Sequence, residues 1–288
     1  MLDVRNYITD LVSRKPGDLA RSNVINEASN LILNRNVDRD IFKRSEGKIN
    51  FKNGWGYVKD GEFIFHAHTS ESFKEGFTYC LPFDYDPDAK APNFELFLQD
   101  IFLQREGLIK CVTEFLGYAL SNDEYWEEKA LILKGSGANG KSVILKVIKA
   151  LIGEGNYSIV NMKNLRDAES RGALVGKIAN VSDESPKDSL NDSEDFKLLT
   201  SNGGGEFEYR VLYEGRHQAI NRAKFIFSTN HELNFTDKSS AVSRRLLIIP
   251  FDANFNPKKG KLTKPVNPHL YKELIKECPG IFNLCMKA

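Results

Sequence analysis

The amino-acid sequence predicts an α/β fold with a central parallel sheet, preceded by a smaller mixed helical and β region. Three observations lead there. Residues 135–142 read GSGANGKS, the apolar run Leu131-Ile132-Leu133 stands just before them, and VILKVIKALI (143–152) follows with apolar positions at helical spacing and Gly153 just beyond. Further on, KIANVSDE (177–184), KFIFSTN (224–230) and SRRLLIIPF (243–251) are apolar β-rich runs bordered by charged or amide side chains. Short buried strands alternating with helical patterns are the mark of a parallel sheet.

Taken in chain order, residues 1–45 show helical periodicity from Asp3 to Ser13 and from Ser22 to Leu33, and end in the basic stretch KRSEGK. Residues 46–128 begin as β structure: INFKNGWGYV and GEFIFHAH are joined by Lys-Asp-Gly, which predicts a hairpin. After the punctuation PFDYDPDAKAP, apolar residues recur at helical spacing from Asn93 to Tyr118, predicting one or two helices that lead into the sheet. Residues 129–256 hold the sheet. FKLLTSNGGGEFEYRVLYEGRHQAINRAKFIF (196–227) predicts a helix end, a glycine-rich turn at Gly203 to Gly205, and a hairpin of EFEYRVLY and QAINRAKFIF with an EGRH turn carrying Arg216 and His217 at its tip. Residues 257–288 read as the start of a further helical region at which the chain stops, so a portion of a longer polypeptide is expected.

Composition excludes several classes. The 288 residues are 41% hydrophobic and 27% charged, enough for one large or two medium cores and unlike disordered or collagenous chains. No apolar run reaches the length of a membrane helix and the N-terminus lacks a signal-peptide core, so no membrane partner is expected. Cys80, Cys111, Cys278 and Cys285 show no CxxC spacing, which predicts free thiols in a reducing interior and no zinc site. A net charge of +1 says nothing about nucleic acid, because a basic channel can exist within a neutral chain.

GSGANGKS matches the phosphate-binding pattern GxxxxGK[ST] in full. Glycine lets the backbone turn and aim N–H groups at phosphate oxygens, and the helix that follows presents its positive end to the same anion. Gly135, Ser136, Gly137, Ala138, Asn139, Gly140, Lys141 and Ser142 are therefore expected to bind ATP, Lys141 at the β and γ phosphates and Ser142 at the accompanying Mg2+. An acid at the end of a strand beside such a loop is where a nucleotide hydrolase places its metal-orienting and water-activating groups, which selects Asp183 and Glu184. Asn230, ending KFIFSTN, has the chemistry to orient water or contact the γ phosphate. The pair Arg244 and Arg245 has the planar multi-donor group needed to stabilise transferring phosphate in a neighbouring subunit, and the two are equivalent at this level. The hairpin residues Arg216 and His217 are candidates for contact with a nucleic-acid backbone. Two other patterns are set aside. Asp84, Asp86, Asp88 and Glu95 fall at calcium-loop spacing, but Ala89 stands where glycine is needed, and His66 and His68 alternate along a strand without further ligands nearby.

In order and spacing, GSGANGKS, GKIANVSDE, FKLLTSNGGGEFEYRVLY, FIFSTNHE and SRRLLIIPF resemble the ATPase motifs of superfamily III helicases, specifically the primase-helicases of phages, plasmids and large DNA viruses. The resemblance covers about residues 46–288 and includes an upstream leader, INFKNGWGYV, YCLPFDYDPDAKAPNFELFLQDIF and LIKCVTEFLGYAL. It implies an AAA+ type P-loop ATPase core that acts on single-stranded DNA as a ring-shaped homo-oligomer, a hexamer, in the cytoplasm of a bacterial host or virus-infected cell. It also implies a primase or polymerase module in the same or another chain. By that likeness Glu184 is the acidic strand end, Asn230 the sensor, Arg244 or Arg245 the arginine acting in trans, and Arg216, His217 and Lys197 the channel residues. NGGGEFEY departs from the pattern in its glycines and in Glu206 and Glu208. Two other classes stay open: a non-catalytic DNA clamp or assembly module in which nucleotide only holds subunits together, and a small-molecule P-loop kinase.

Overall fold

The computed structural model describes residues 45–121, 125–183, 193–212, 215–231, 240–256, 267 and 269–288. The expected helices between Asp3 and Leu33, and Glu184, lie outside the described residues.

β1 (Lys48–Asn50), β2 (Gly54–Lys59) and β3 (Glu62–Ala67) form a three-stranded antiparallel sheet. Asp60 and Gly61 turn the predicted hairpin with φ of 52° and 81°, the left-handed pair that a two-residue loop needs. Two helices follow, α1 (Pro92–Ile101) and α2 (Glu106–Leu120), each burying the apolar stripe read from the sequence. Then come β4 (Ala130–Lys134), α3 (Lys141–Ile152), β5 (Tyr157–Ser158), the short α4 (Ala168–Arg171), β6 (Ala179–Ser182) and α5 (Glu194–Leu199). The hairpin β7 (Glu206–Val211) and β8 (Gly215–Ile220) precedes β9 (Lys224–Thr229), α6 (Ser240–Ser243), β10 (Leu246–Pro250), α7 (Leu270–Leu274) and α8 (Cys278–Lys287).

The central sheet has five strands in the order β10-β4-β9-β6-β5, and every pairing is parallel. Both faces are covered, which is why its strands read as apolar runs rather than alternating ones. Leu131, Leu133 and Ile226 point to one face and pack with α3; Ala130, Ile132, Phe225 and Phe227 point to the other and meet Phe196 and Phe207.

The first of these cores extends into the leader and the C-terminal helices. Phe51, fully buried, meets Phe282 of α8 edge-on at 4.9 Å and lies 5.8 Å from Phe83. Buried Asn283 donates from Nδ2 to the carbonyls of Asp86 (2.8 Å) and Ala89 (3.0 Å), which satisfies its own amide and ties α8 to the loop before α1.

The hairpin differs from expectation in its return strand, which stops at Ile220 instead of continuing through QAINRAKFIF. Buried Asn221 is the cause. Its Nδ2 donates to Leu199 O (2.7 Å) and its Oδ1 accepts from Ala223 N (3.2 Å), a side-chain turn that releases the chain from the hairpin and feeds it into the central sheet as β9.

Candidate nucleotide site

The loop between β4 and α3 is held in shape by residues distant in sequence. Gly137 and Gly140 have φ of 89° and 92°, and between them Ala138 stands at 52°, an uncommon conformation for a residue with a Cβ. Ala138 O accepts from Phe255 N at 2.8 Å, and Asn139, 2% exposed, donates from Nδ2 to Phe251 O at 3.0 Å. These bonds fasten the loop to the segment after β10. Gly135 is required for closeness rather than for turning: a Cβ there would stand 2.2 Å from Asn139 Nδ2 and 2.7 Å from Phe251 O. At Gly140 both demands coincide, since a Cβ would lie 2.4 Å from Ile101 Cγ2 of α1.

Gly140 gives α3 no side-chain cap, so the first-turn N–H groups and the positive end of a twelve-residue helix face the loop. Lys141 is 5% exposed. Its Nζ donates to Asn230 Oδ1 at 2.9 Å and to Gly135 O. The two predicted residues, 89 positions apart, thus meet because β9 lies beside β4 in the sheet.

Loop residues 137–143 line one side of a cavity of about 560 Å3, within the range of small-molecule sites. Asp183, Ser228 and Asn230 continue that polar wall from the ends of β6 and β9. The rest of the lining comes from α1 (Leu96, Phe97, Asp100), from Phe255 and from the α7 region (Leu270, Glu273), mixing apolar side chains with two carboxylates. The loop N–H groups and the buried ammonium have the chemistry to receive an anion, and Leu96, Phe97, Phe255 and Leu270 offer apolar surface for a flat ring. Ser142 and Asp183 both line the cavity, and two protein oxygen donors suit Mg2+, which takes most of its other ligands from phosphate and water. Asp183 Oδ1 is paired with Lys149 Nζ at 2.8 Å.

Arg244 and Arg245 stand elsewhere. They precede β10, whose Leu246 pairs with Ala130 at the start of β4, whereas the glycine-rich loop leaves the end of β4. At roughly 3.3 Å per residue, the length of β4 separates them from the loop of their own chain. The structure also distinguishes them. The Arg245 side chain is 7% exposed and donates to Ala241 O at 2.8 Å; that of Arg244 is 58% exposed. Both reach Glu128 Oε2, at 3.2 Å and 3.3 Å.

Arg216 and His217 lie inside β8, not in a turn, and alternation sends them to opposite faces. Arg216 is exposed and pairs with Glu208 at 2.8 Å, whereas His217 stacks on Tyr209, ring centroids 5.4 Å apart, on the side of buried Phe207. Lys197 sits in the last turn of α5, near the base of the hairpin, where Gly205 packs against Leu198 O. Of the proposed channel residues, only Arg216 combines exposure with a place on the outer hairpin face.

Glu128, Lys149 and the apolar lining were not selected from sequence. Phe97 carries only the signal of a helix stripe, and Leu96, which lies off that stripe and is exposed, and Glu128 carry none.

Parts of the chain resemble known families, and its fold resembles solved structures. Residues 14–103 match the family "D5 N terminal like", and residues 133–245 match "Family of unknown function (DUF5906)". Two solved apo structures of the NrS-1 C terminal region align with 86% of this chain and 68% of theirs, at 16% and 14% identity and TM-scores of 0.53 and 0.54. The chain shares the fold of the NrS-1 C terminal region. At these identities the likeness to the NrS-1 region is one of fold. Among the described residues, no helix is long and apolar enough to cross a membrane.

Proposed function

We propose that this chain is the ATP-hydrolysing motor of a phage-type DNA replication protein, a primase-helicase, which assembles as a ring and moves on single-stranded DNA. The observation that carries this reading is the buried Lys141 ammonium, placed at the start of α3, facing the cavity and bonded to Asn230. A buried ammonium that lines the cavity at the positive end of α3 is placed to meet the charge of a phosphate. The match of residues 14–103 to the D5 N terminal-like family and the shared NrS-1 fold support the same reading.

The residues divide the work as follows. The loop N–H groups and Lys141 bind the β and γ phosphates. Ser142 and Asp183 would hold Mg2+, which would neutralise phosphate charge when bound. Asn230 orients the attacking water from the end of β9, Glu184 accepts its proton, and an arginine from the next copy balances charge developing on the transferred phosphoryl group. The position of Arg244 and Arg245 at the far end of β4 favours a ring, because neither serves its own loop.

The test is ATP hydrolysis by the purified chain with and without single-stranded DNA, alongside its mass in solution, for wild type and Lys141→Ala. Hydrolysis by a ring, raised by DNA and lost in the variant, is expected. Nucleotide-dependent rings that hydrolyse nothing would replace the motor with a DNA clamp. Turnover by a monomer indifferent to DNA would replace it with a small-molecule kinase.

A further inference from the structure

Glu128 has a role that neither motif nor fold assigns. Its backbone φ is 50°, in the left-handed region that a residue with a Cβ adopts only when its surroundings impose it. The surroundings do so on the C-terminal side: Tyr125 OH donates to Lys129 O at 2.7 Å, Lys129 Nζ donates to Arg244 O, and Ala130 N donates to Arg245 O at 2.8 Å. The strained backbone aims a carboxylate that makes three contacts. Oε2 accepts from Arg244 (3.2 Å) and lies 3.3 Å from an Arg245 nitrogen, and Oε1 accepts from Asn202 N at 3.2 Å.

Asn202 belongs to the turn between α5 and β7, from which the hairpin springs. That turn is tightly seated. A Cβ on Gly204 or Gly205 would stand 2.0 Å from Asn221 O or Leu198 O, so the turn transmits displacement rather than absorbing it. One carboxylate therefore joins an exposed arginine, a buried arginine and the base of the hairpin.

Taking Arg244 to act on a neighbouring copy's nucleotide, as proposed above, we propose that Glu128 positions Arg244 and couples it to the hairpin β7–β8. Arg245 is the anchored member of the pair, buried and bonded to Ala241 O, and Arg244 is the exposed one, free of packing that would hold it in place. An exposed ion pair to one carboxylate is weak, and a polyanionic phosphate outcompetes it. When Arg244 leaves for the neighbour's phosphate, Glu128 keeps Arg245 and Asn202 alone. The hairpin base then senses whether the next site holds a triphosphate, and DNA pulling on the hairpin alters how readily Arg244 is released. This is reciprocal coupling through a shared partner.

The test compares full-length wild type, Glu128→Gln, Glu128→Asp, Arg244→Ala and the double variant Glu128→Gln/Arg244→Ala, reading kcat, KM for ATP, stimulation by single-stranded DNA and thermal unfolding. Arg244→Ala is expected to lower kcat by roughly 10³-fold. Glu128→Gln keeps the shape of the side chain and loses its charge; kcat should fall roughly 3- to 30-fold, KM should change by less than about twofold, and DNA stimulation should be lost. Glu128→Asp should recover part of the loss, and the double variant should be no slower than Arg244→Ala alone, because Glu128 works through Arg244. Wild-type kcat and DNA stimulation in Glu128→Gln, or additive losses in the double variant, would overturn the role of Glu128 while leaving the motor intact. A wild type that hydrolyses nothing would overturn the motor reading and this role with it. Should Glu128→Gln fail to fold, Glu128→Asp carries the comparison: a loss of DNA stimulation larger than its loss of stability supports the coupling, and unchanged stimulation refutes it.

Discussion

Lys141 Nζ donates to Asn230 Oδ1 across 2.9 Å, joining the first residue of α3 to the residue that follows β9. Asn230→Ala removes that acceptor and, in the function proposed above, the group that would orient water. Binding should survive, since the loop N–H groups remain, while kcat falls by roughly 10²-fold, the scale of a lost positioning contact. Steady-state ATPase assays read the split, and a change confined to KM would contradict it.

The two left-handed glycines of the loop should respond differently to alanine. At Gly137 an added Cβ meets nothing within 4 Å, so only the backbone conformation is penalised, by about 1–2 kcal/mol. At Gly140 the same penalty is joined by a clash with Ile101, worth about 1–3 kcal/mol more. Denaturant unfolding should rank Gly140→Ala clearly below Gly137→Ala, and equal losses would show that α1 yields freely.

Glu277 caps a helix that lies 184 residues earlier in the chain: its Oε1 accepts from Asn93 N (3.2 Å) and its Oε2 from Phe94 N (2.9 Å). Ala91, at the cap position itself, has no side chain to do so. Glu277→Ala should destabilise the protein by about 1–2 kcal/mol and, because α1 walls the cavity, weaken nucleotide binding. Titration with a fluorescent ATP analogue checks the second effect; unchanged affinity would mean that α1 is held by its apolar face alone.

Burial pushes the thiols of Cys278 and Cys285 from 9.0 up to about 11 and about 12. Below pH about 9 both thiols are neutral folded or unfolded, so they add no pH dependence. Above it the unfolded chain ionises first, so stability should decline as pH rises from about 9 through the folded values. Unfolding free energies at about pH 8 and about pH 10.5 should differ less in Cys278→Ala/Cys285→Ala than in wild type, and an equal drop would assign the decline to other groups.

Much of this was legible in advance because it is local. The loop GSGANGKS carries its own conformational demands, β4 and α3 flank it within a few residues, and a hydrophobic period of 3.6 identifies α1 and α2 without knowledge of what they touch. The Asp60-Gly61 turn is likewise specified by its own two residues. The reading of the second hairpin failed at Asn221, whose turn depends on a carbonyl at Leu199 that no local pattern reveals. Arg216 and His217 were grouped by adjacency, yet adjacency along a strand means opposite faces.

Chain order and residue chemistry were thus enough for the parallel sheet, for the loop between β4 and α3, and for expecting Lys141, Asp183 and Asn230 beside that loop, because each depends on spacing along the backbone. The folded molecule was needed to tell Arg244 from Arg245, to bring α1 and Leu270 over the loop, and to place one carboxylate of Glu128 between the arginines and Asn202. Those facts depend on burial and on partners that only close packing makes neighbours, and a linear pattern holds no record of distance in space.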